Sequence, residues 1–135
     1  VILTSTGPKI VEVGARLPGD YIPNILLDAT GINEAELYLK VALGKPVNLE
    51  RKWSKYSGVR FIRNLYSGKI KKFDVADNIE VTKYVDVGDC VEQSPDNVSR
   101  LGHYSTTKDC YRSVTHDLKK ALANTEVVYE KNCPD

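Results

Sequence analysis

Short β-branched runs and helix-spaced apolar stripes succeed one another along this chain, and together they predict an α+β fold. Val1–Thr4 and Lys9–Val13 are strand-like and are joined by Ser5-Thr6-Gly7-Pro8, the composition of a β-hairpin. After the chain-bending stretch Ala15-Arg16-Leu17-Pro18-Gly19-Asp20, the positions Ile22, Ile25, Leu26 and Ala29 recur at helical spacing. Asp20 is the expected cap of that helix, Pro23 falls in its first turn, and Gly31 stops it. Asn33 and Glu36 then resemble a capping box for a second helix, which carries Ala35, Tyr38, Leu39 and Ala42 on one face and ends at Gly44 and Pro46.

A polar stretch, Asn48–Ser57, leads into a second section, and Trp53 within it reads as a local packing anchor. Gly58–Lys72 has the pattern of a second hairpin turning at Ser67-Gly68. Val81–Val87, closed by Gly88-Asp89, and Arg100–Thr106 read as further strands. A helix capped by Thr106 or Thr107 follows, with Tyr111, Val114, Leu118, Ala121 and Leu122 on one face, and Glu126–Tyr129 is a last short strand. The expected architecture is a hairpin plus two helices, then a mainly antiparallel sheet with a C-terminal helix.

Composition narrows the function classes. The 135 residues suffice for one ordinary domain, or a domain plus part of another. Lys plus Arg number 19 and Asp plus Glu 18, a net charge of +1 that favours neither nucleic acid nor an anionic membrane as partner. No apolar run approaches the roughly 20 residues of a membrane span, and no signal peptide is visible. Cys90, Cys110 and Cys133 are widely spaced and odd in number, which suggests free thiols in a reducing cytoplasm rather than a disulfide framework or zinc site. The chain contains no Met and opens on Val1-Ile2-Leu3-Thr4 in mid-strand, so it is expected to be a piece of a longer polypeptide.

The stretch from Glu12 to Asp20 concentrates devices for handling ions. Glu12 ends an apolar strand and offers hard oxygen donors of the kind Mg²⁺ takes alongside substrate phosphates. Arg16 presents a planar fork suited to a carboxylate or phosphate. Gly19 and Asp20 stand at the start of the first helix, where backbone N–H groups and the helix dipole favour an anion. A surface Glu–Arg pair beside an ordinary capped turn accounts for the same residues without any chemistry.

Gly7-Pro8-Lys9-Ile10-Val11-Glu12-Val13-Gly14-Ala15-Arg16-Leu17-Pro18-Gly19-Asp20 resembles the end of the ATP-grasp domain of carboxylate–amine ligases, with L-amino acid ligases and carnosine synthase-type proteins the nearest in pattern. Ala29-Thr30-Gly31-Ile32 and Ala42-Leu43-Gly44-Lys45-Pro46-Val47 continue that likeness. Gly58-Val59-Arg60-Phe61-Ile62-Arg63, Ser67-Gly68-Lys69-Ile70 and Ser99-Arg100-Leu101-Gly102-His103 look like the C-terminal domain of the same ligases. The resemblance implies a division at about residue 50, with residues 1–50 ending the ATP-grasp domain and 51–135 forming a small α+β domain.

It further implies ATP and Mg²⁺ as cofactors, a carboxylate and an amine as substrates, and an acyl phosphate between them. Glu12 would be a metal ligand, Arg16 would hold the substrate carboxylate or acyl phosphate, and Gly19 and Asp20 would border the ATP pocket. The rest of the ATP-grasp enzyme would be the partner of this piece. One departure stands out: Gly14 occupies the place where many ATP-grasp proteins carry an Asn ligand. The alternative is a non-catalytic α+β module used for docking or oligomer contacts.

Elsewhere His103 reads as a sheet residue, His116 as exposed on the last helix, Lys69-Ile70-Lys71-Lys72 as a solvated strand face and Asp86-Val87-Gly88-Asp89 as a turn. Arg60 and Arg63 fall on opposite strand faces, so at most one is expected to reach a pocket.

Overall fold

A computed structural model describes residues 1–93 and 99–130. Cys133, expected to be a free thiol, lies outside the described residues; Cys90 and Cys110 are free and exposed. The fold is α+β. A small hairpin, β1 (Ile2–Thr4) and β2 (Gly7–Lys9), is followed by helices α1 (Ile22–Thr30) and α2 (Glu34–Ala42). Then come β3 (Tyr56–Arg63), β4 (Gly68–Asp74), β5 (Glu80–Lys83), β6 (Cys90–Val91), β7 (Arg100–Lys108), α3 (Tyr111–Ala123) and β8 (Glu126–Glu130). Every strand pairing among the described residues is antiparallel. No helix among them is long and apolar enough to cross a membrane.

The helix ends follow local chemistry. Gly31 takes a positive φ of 75° and its N–H returns to the Leu27 carbonyl at 2.7 Å, closing α1 as expected. Asn33 caps α2 by accepting from the Glu36 N–H at 3.2 Å. The following polar stretch is tied back to α1, because Trp53 donates its indole N–H to the Asp28 carbonyl at 2.8 Å and Lys52 N–H reaches the Thr30 carbonyl at 2.9 Å. Trp53 thus anchors this stretch by a hydrogen bond, whereas the residue stays 43% exposed and does not pack in the core. The cap of α3 is different: Cys110 occupies it, while Thr107 stays in β7 and donates its hydroxyl to Ser57 across the strand pair.

The second expected hairpin does not form. β3 pairs with β7, in a sheet ordered β3-β7-β5, whereas β4 lies at the centre of another sheet ordered β6-β4-β8. The chain crosses between sheets at Asn64, which is buried and whose backbone N–H and side-chain amide are engaged away from β4. Its backbone N–H reaches Ser99, its amide nitrogen donates to the Glu92 carbonyl, and its amide oxygen accepts from the Tyr129 hydroxyl. A turn composition at Ser67-Gly68 therefore marks entry to a new sheet rather than a return to the old one. Within β4 a bulge between Ile70 and Lys72 leaves Lys71 and Lys72 both exposed, so that Ile70 and Phe73 both face the core. The lysines are solvated as expected, and Ile70 is not.

The core lies between the sheets and α3. Ile62, Leu101 and Tyr104 from one sheet meet Ile70 and Phe73 from the other, with Val114, Leu118 and Ala121 of α3 closing the cluster. Gly58 lets α3 approach β3, since a Cβ there would touch Val114 and Leu118. Strand alternation puts Phe61 and its cross-strand neighbour His103 on the opposite face, under the start of α1. His103 is 3% exposed. Its Nδ1 lies 2.7 Å from the Tyr84 hydroxyl, and its Nε2 is buried with no partner. Burial holds the imidazole below its usual pKa, with Glu80 opposing weakly, and burial raises the Tyr84 phenol against a smaller opposing effect of Arg100.

Two outcomes follow from this packing. Gly102 sits on the central strand β7, where a Cβ would collide with the Thr82 carbonyl of β5. Gly102→Ala is expected to lower stability by about 3 kcal/mol, read as a fall in the urea midpoint. His103, neutral in the fold, takes up a proton more readily when unfolded. Stability should therefore fall as pH drops below the ordinary histidine value of about 6.5. His103→Phe should flatten that part of the melting-temperature profile, and an unchanged slope would contradict the assignment.

Candidate functional site

The hairpin fixes where the candidate residues can lie. Its turn is two residues long, so Thr4 pairs with Gly7, Leu3 with Pro8 and Ile2 with Lys9. Strand β2 is paired over Gly7–Lys9, where the expected strand ran to Val13, and Glu12 lies in an exposed segment beyond the pairing. Val11 and Val13 on either side of it are exposed too. Arg16 lies in an exposed bend and donates to the Leu17 carbonyl at 3.0 Å. A Cβ at Gly19 would meet nothing within 4 Å, and one at Gly14 would meet only the Arg16 stem at 3.9 Å. Space for a side chain at position 14 is therefore present.

Asp20 departs from expectation. It does not cap α1: Tyr21 holds that position, without a side-chain cap. Asp20 stands one residue before that cap in a left-handed conformation, φ 58°, with its carboxylate engaged by Arg100 instead of by first-turn N–H groups. Tyr21 follows at φ 67°. Two successive non-glycine residues in the left-handed region cost about 1–2 kcal/mol each, so neighbouring groups must hold them. Asp20 Oδ1 accepts from Arg100 Nη1 at 2.8 Å, and the Arg100 guanidinium rests 3.6 Å from the centre of the Phe61 ring. Tyr21 lies with its ring centre 4.4 Å from that of His103.

No hydrogen bond or ion pair joins Glu12, Arg16 and Asp20 to one another among the described residues. They share one exposed stretch from the hairpin to α1, with its backbone amides and its open Gly19. Nor do the described residues include a group of three or more His, Cys, Asp or Glu side chains able to hold a metal. Glu12 can supply one hard oxygen ligand, and a complete Mg²⁺ site needs donors beyond these. Sequence reasoning did not single out Arg100 or Tyr21; their partners lie tens of residues away, and only the fold brings them together.

A separate cavity of about 870 Å³ opens along the β3 edge, with Arg60, Arg63, Asn64, Tyr66, Arg100 and Tyr129 among its lining residues. Both Arg60 and Arg63 reach it, contrary to expectation, because a register shift follows Ile62 and the cavity wraps the free edge of the strand. Arg100 touches both this cavity and the Asp20 turn.

No sequence-family profile and no curated protein sequence matches the chain. Solved structures do. Phosphoribosylglycinamide synthetase from Anaerococcus prevotii aligns with a TM-score of 0.73 at 18% identity, over 96% of this chain and 35% of that one. L-amino acid ligase from Bacillus licheniformis aligns with a TM-score of 0.69 at 21% identity, over 93% of this chain and 33% of that one. The K. lactis urea amidolyase aligns with a TM-score of 0.58 at 20% identity, over 88% of this chain and 8% of that one. The chain thus spans about a third of the length of the first two. It shares its fold with a segment of each of these enzymes.

Proposed function

We propose that this chain is the C-terminal part of an ATP-grasp carboxylate–amine ligase and forms one wall of its active site. The observation that carries this reading is the likeness in fold to an L-amino acid ligase over 93% of the chain, in a sequence whose Glu12–Asp20 stretch has that family's pattern. The reaction would transfer the γ-phosphoryl group of ATP to a substrate carboxylate, giving an acyl phosphate and ADP. An amine would then attack the acyl carbon, forming an amide and releasing phosphate.

In this reading Arg16 holds the substrate carboxylate or acyl phosphate through its planar fork. Gly19 leaves the backbone open to a phosphate-bearing ligand beside the start of α1. Asp20 borders the same space. Glu12 would hold Mg²⁺ as one of several ligands, the others coming from the remainder of the enzyme, and the chemistry supplied there would be neutralisation of phosphate charge. The exposed apolar residues of the hairpin, the segment after it and α2, among them Leu3, Val13 and Leu39, suit burial against that remainder. ATP grip and substrate choice would reside largely there as well.

In the intact ligase, Glu12→Ala and Arg16→Ala should each lower kcat by about a hundredfold or more with the fold retained. Near-normal turnover in both would sink the assignment and favour a docking or oligomerisation module. Gly14→Asn tests the metal side from the opposite direction. The room at that position predicts a melting temperature close to the parent's and saturation of activity at lower Mg²⁺; an unaltered Mg²⁺ requirement would count against Glu12 as a ligand.

A further inference from the structure

The two left-handed residues before α1 are gripped from the other end of the sequence. Arg100 opens β7, is 13% exposed at its side chain, and is stacked on Phe61 of β3. Its one charge-assisted hydrogen bond to Asp20 spans 80 residues of sequence. A second grip acts on the next residue. Tyr21 packs on His103, a buried β7 residue whose ring is fixed by the Tyr84 hydroxyl. Asp20 and Tyr21 thus each have a rigid partner on the β3-β7-β5 sheet or its flank, and the two partners stand three residues apart on one strand.

We propose that Arg100 is a positioning residue for the Arg16–Asp20 loop: by holding the Asp20 carboxylate it sets the left-handed turn and hence the placement of Arg16 and Gly19. The inference rests on the reading of that loop as an active-site wall. It also changes the role of Asp20. With its carboxylate committed to Arg100, Asp20 anchors the loop and is not a free anion facing ATP, which suits a pocket that must accept phosphates. Arginine is the residue this needs, since a planar guanidinium can stack on Phe61 and still direct an N–H at Asp20.

The test uses the intact ligase with Arg100→Met, which keeps an unbranched stem over Phe61 and removes the charge, together with Asp20→Asn and the double variant. The expected result is a fall in kcat/KM of about tenfold or more, carried mainly by kcat because a bound substrate is misplaced. Amide exchange across residues 16–22 should accelerate, with β7 and α3 unaffected. The double variant should be no worse than Asp20→Asn alone, and Arg100→Lys should recover part of the loss. A kcat/KM within twofold of the parent with unaltered loop exchange overturns the proposal. So does full additivity in the double variant, which would mean that Arg100 acts by a contact of its own. Should Arg100→Met fail to fold, Asp20→Asn carries the same exchange readout, and an unchanged loop then refutes the clamp. Glu12→Ala and Arg16→Ala run alongside separate the two ideas. If they abolish turnover and Arg100→Met does not, the clamp fails alone; if they leave turnover intact, the active-site reading fails, and loop exchange still judges the clamp.

Discussion

Tyr104 joins the elements on which the rest of the molecule depends. It lies on β7, the central strand of its sheet, and is 0% exposed. Its hydroxyl accepts from the Ala76 N–H at 3.0 Å, just beyond the end of β4, and lies 2.7 Å from the Thr125 hydroxyl between α3 and β8. Thr125 in turn donates to the Ala121 carbonyl near the end of α3. A buried phenol without partners would cost roughly 1–3 kcal/mol; here the partners lie just past the ends of two different elements, β4 and α3. The ring fills the core while its polar tip fixes how the second sheet and α3 meet the first. That arrangement leaves the opposite face of β7, with His103 at its centre, available to receive the start of α1.

How legible this was depends on the range of the interaction concerned. Helices α1, α2 and α3 could be read because their stripes and stops are local: Gly31 and Asn33 act on residues within a few positions of themselves. Strand existence was legible for similar reasons, except that the two-residue β6 was not foreseen and the strand expected over Val81–Val87 ends at Lys83. Strand partnership was not. Gly58–Lys72 has the composition of a hairpin, yet Asn64 is held by Glu92, Ser99 and Tyr129, groups 28 to 65 residues away in the case of its side chain. Such long-range satisfaction of a buried amide leaves no mark on the residues around it. The bulge at Lys71 likewise breaks the period of two that would have placed Ile70 and Phe73 on opposite faces.

The candidate site divides along the same line. Glu12, Arg16, Gly19 and Asp20 could be proposed because their types and spacing resemble a recognisable pattern. What the pattern hid was the state of the backbone. A Gly-Asp pair before a helical stripe looks like a cap, and local rules favour that answer. The left-handed turn at Asp20 and Tyr21 exists because distant groups hold it, so no local rule could yield it. Arg100 and His103 drew notice only as parts of a strand, and their importance depends on what lies across from them.

That tie has a bearing on how proteins of this fold could be recombined. A polar stretch near residue 50 has the composition of a linker between independent halves, a natural place to join segments from two parents. The Asp20–Arg100 contact makes the halves interdependent in another way. A chimera could keep every residue of the Arg16–Asp20 loop and still receive it in the wrong conformation, if the incoming strand lacked a cation at the place of Arg100 or an aromatic platform like Phe61 beneath it. The heritable unit is the loop together with its distant support, and breeding by segment exchange would succeed or fail on whether the two travel together.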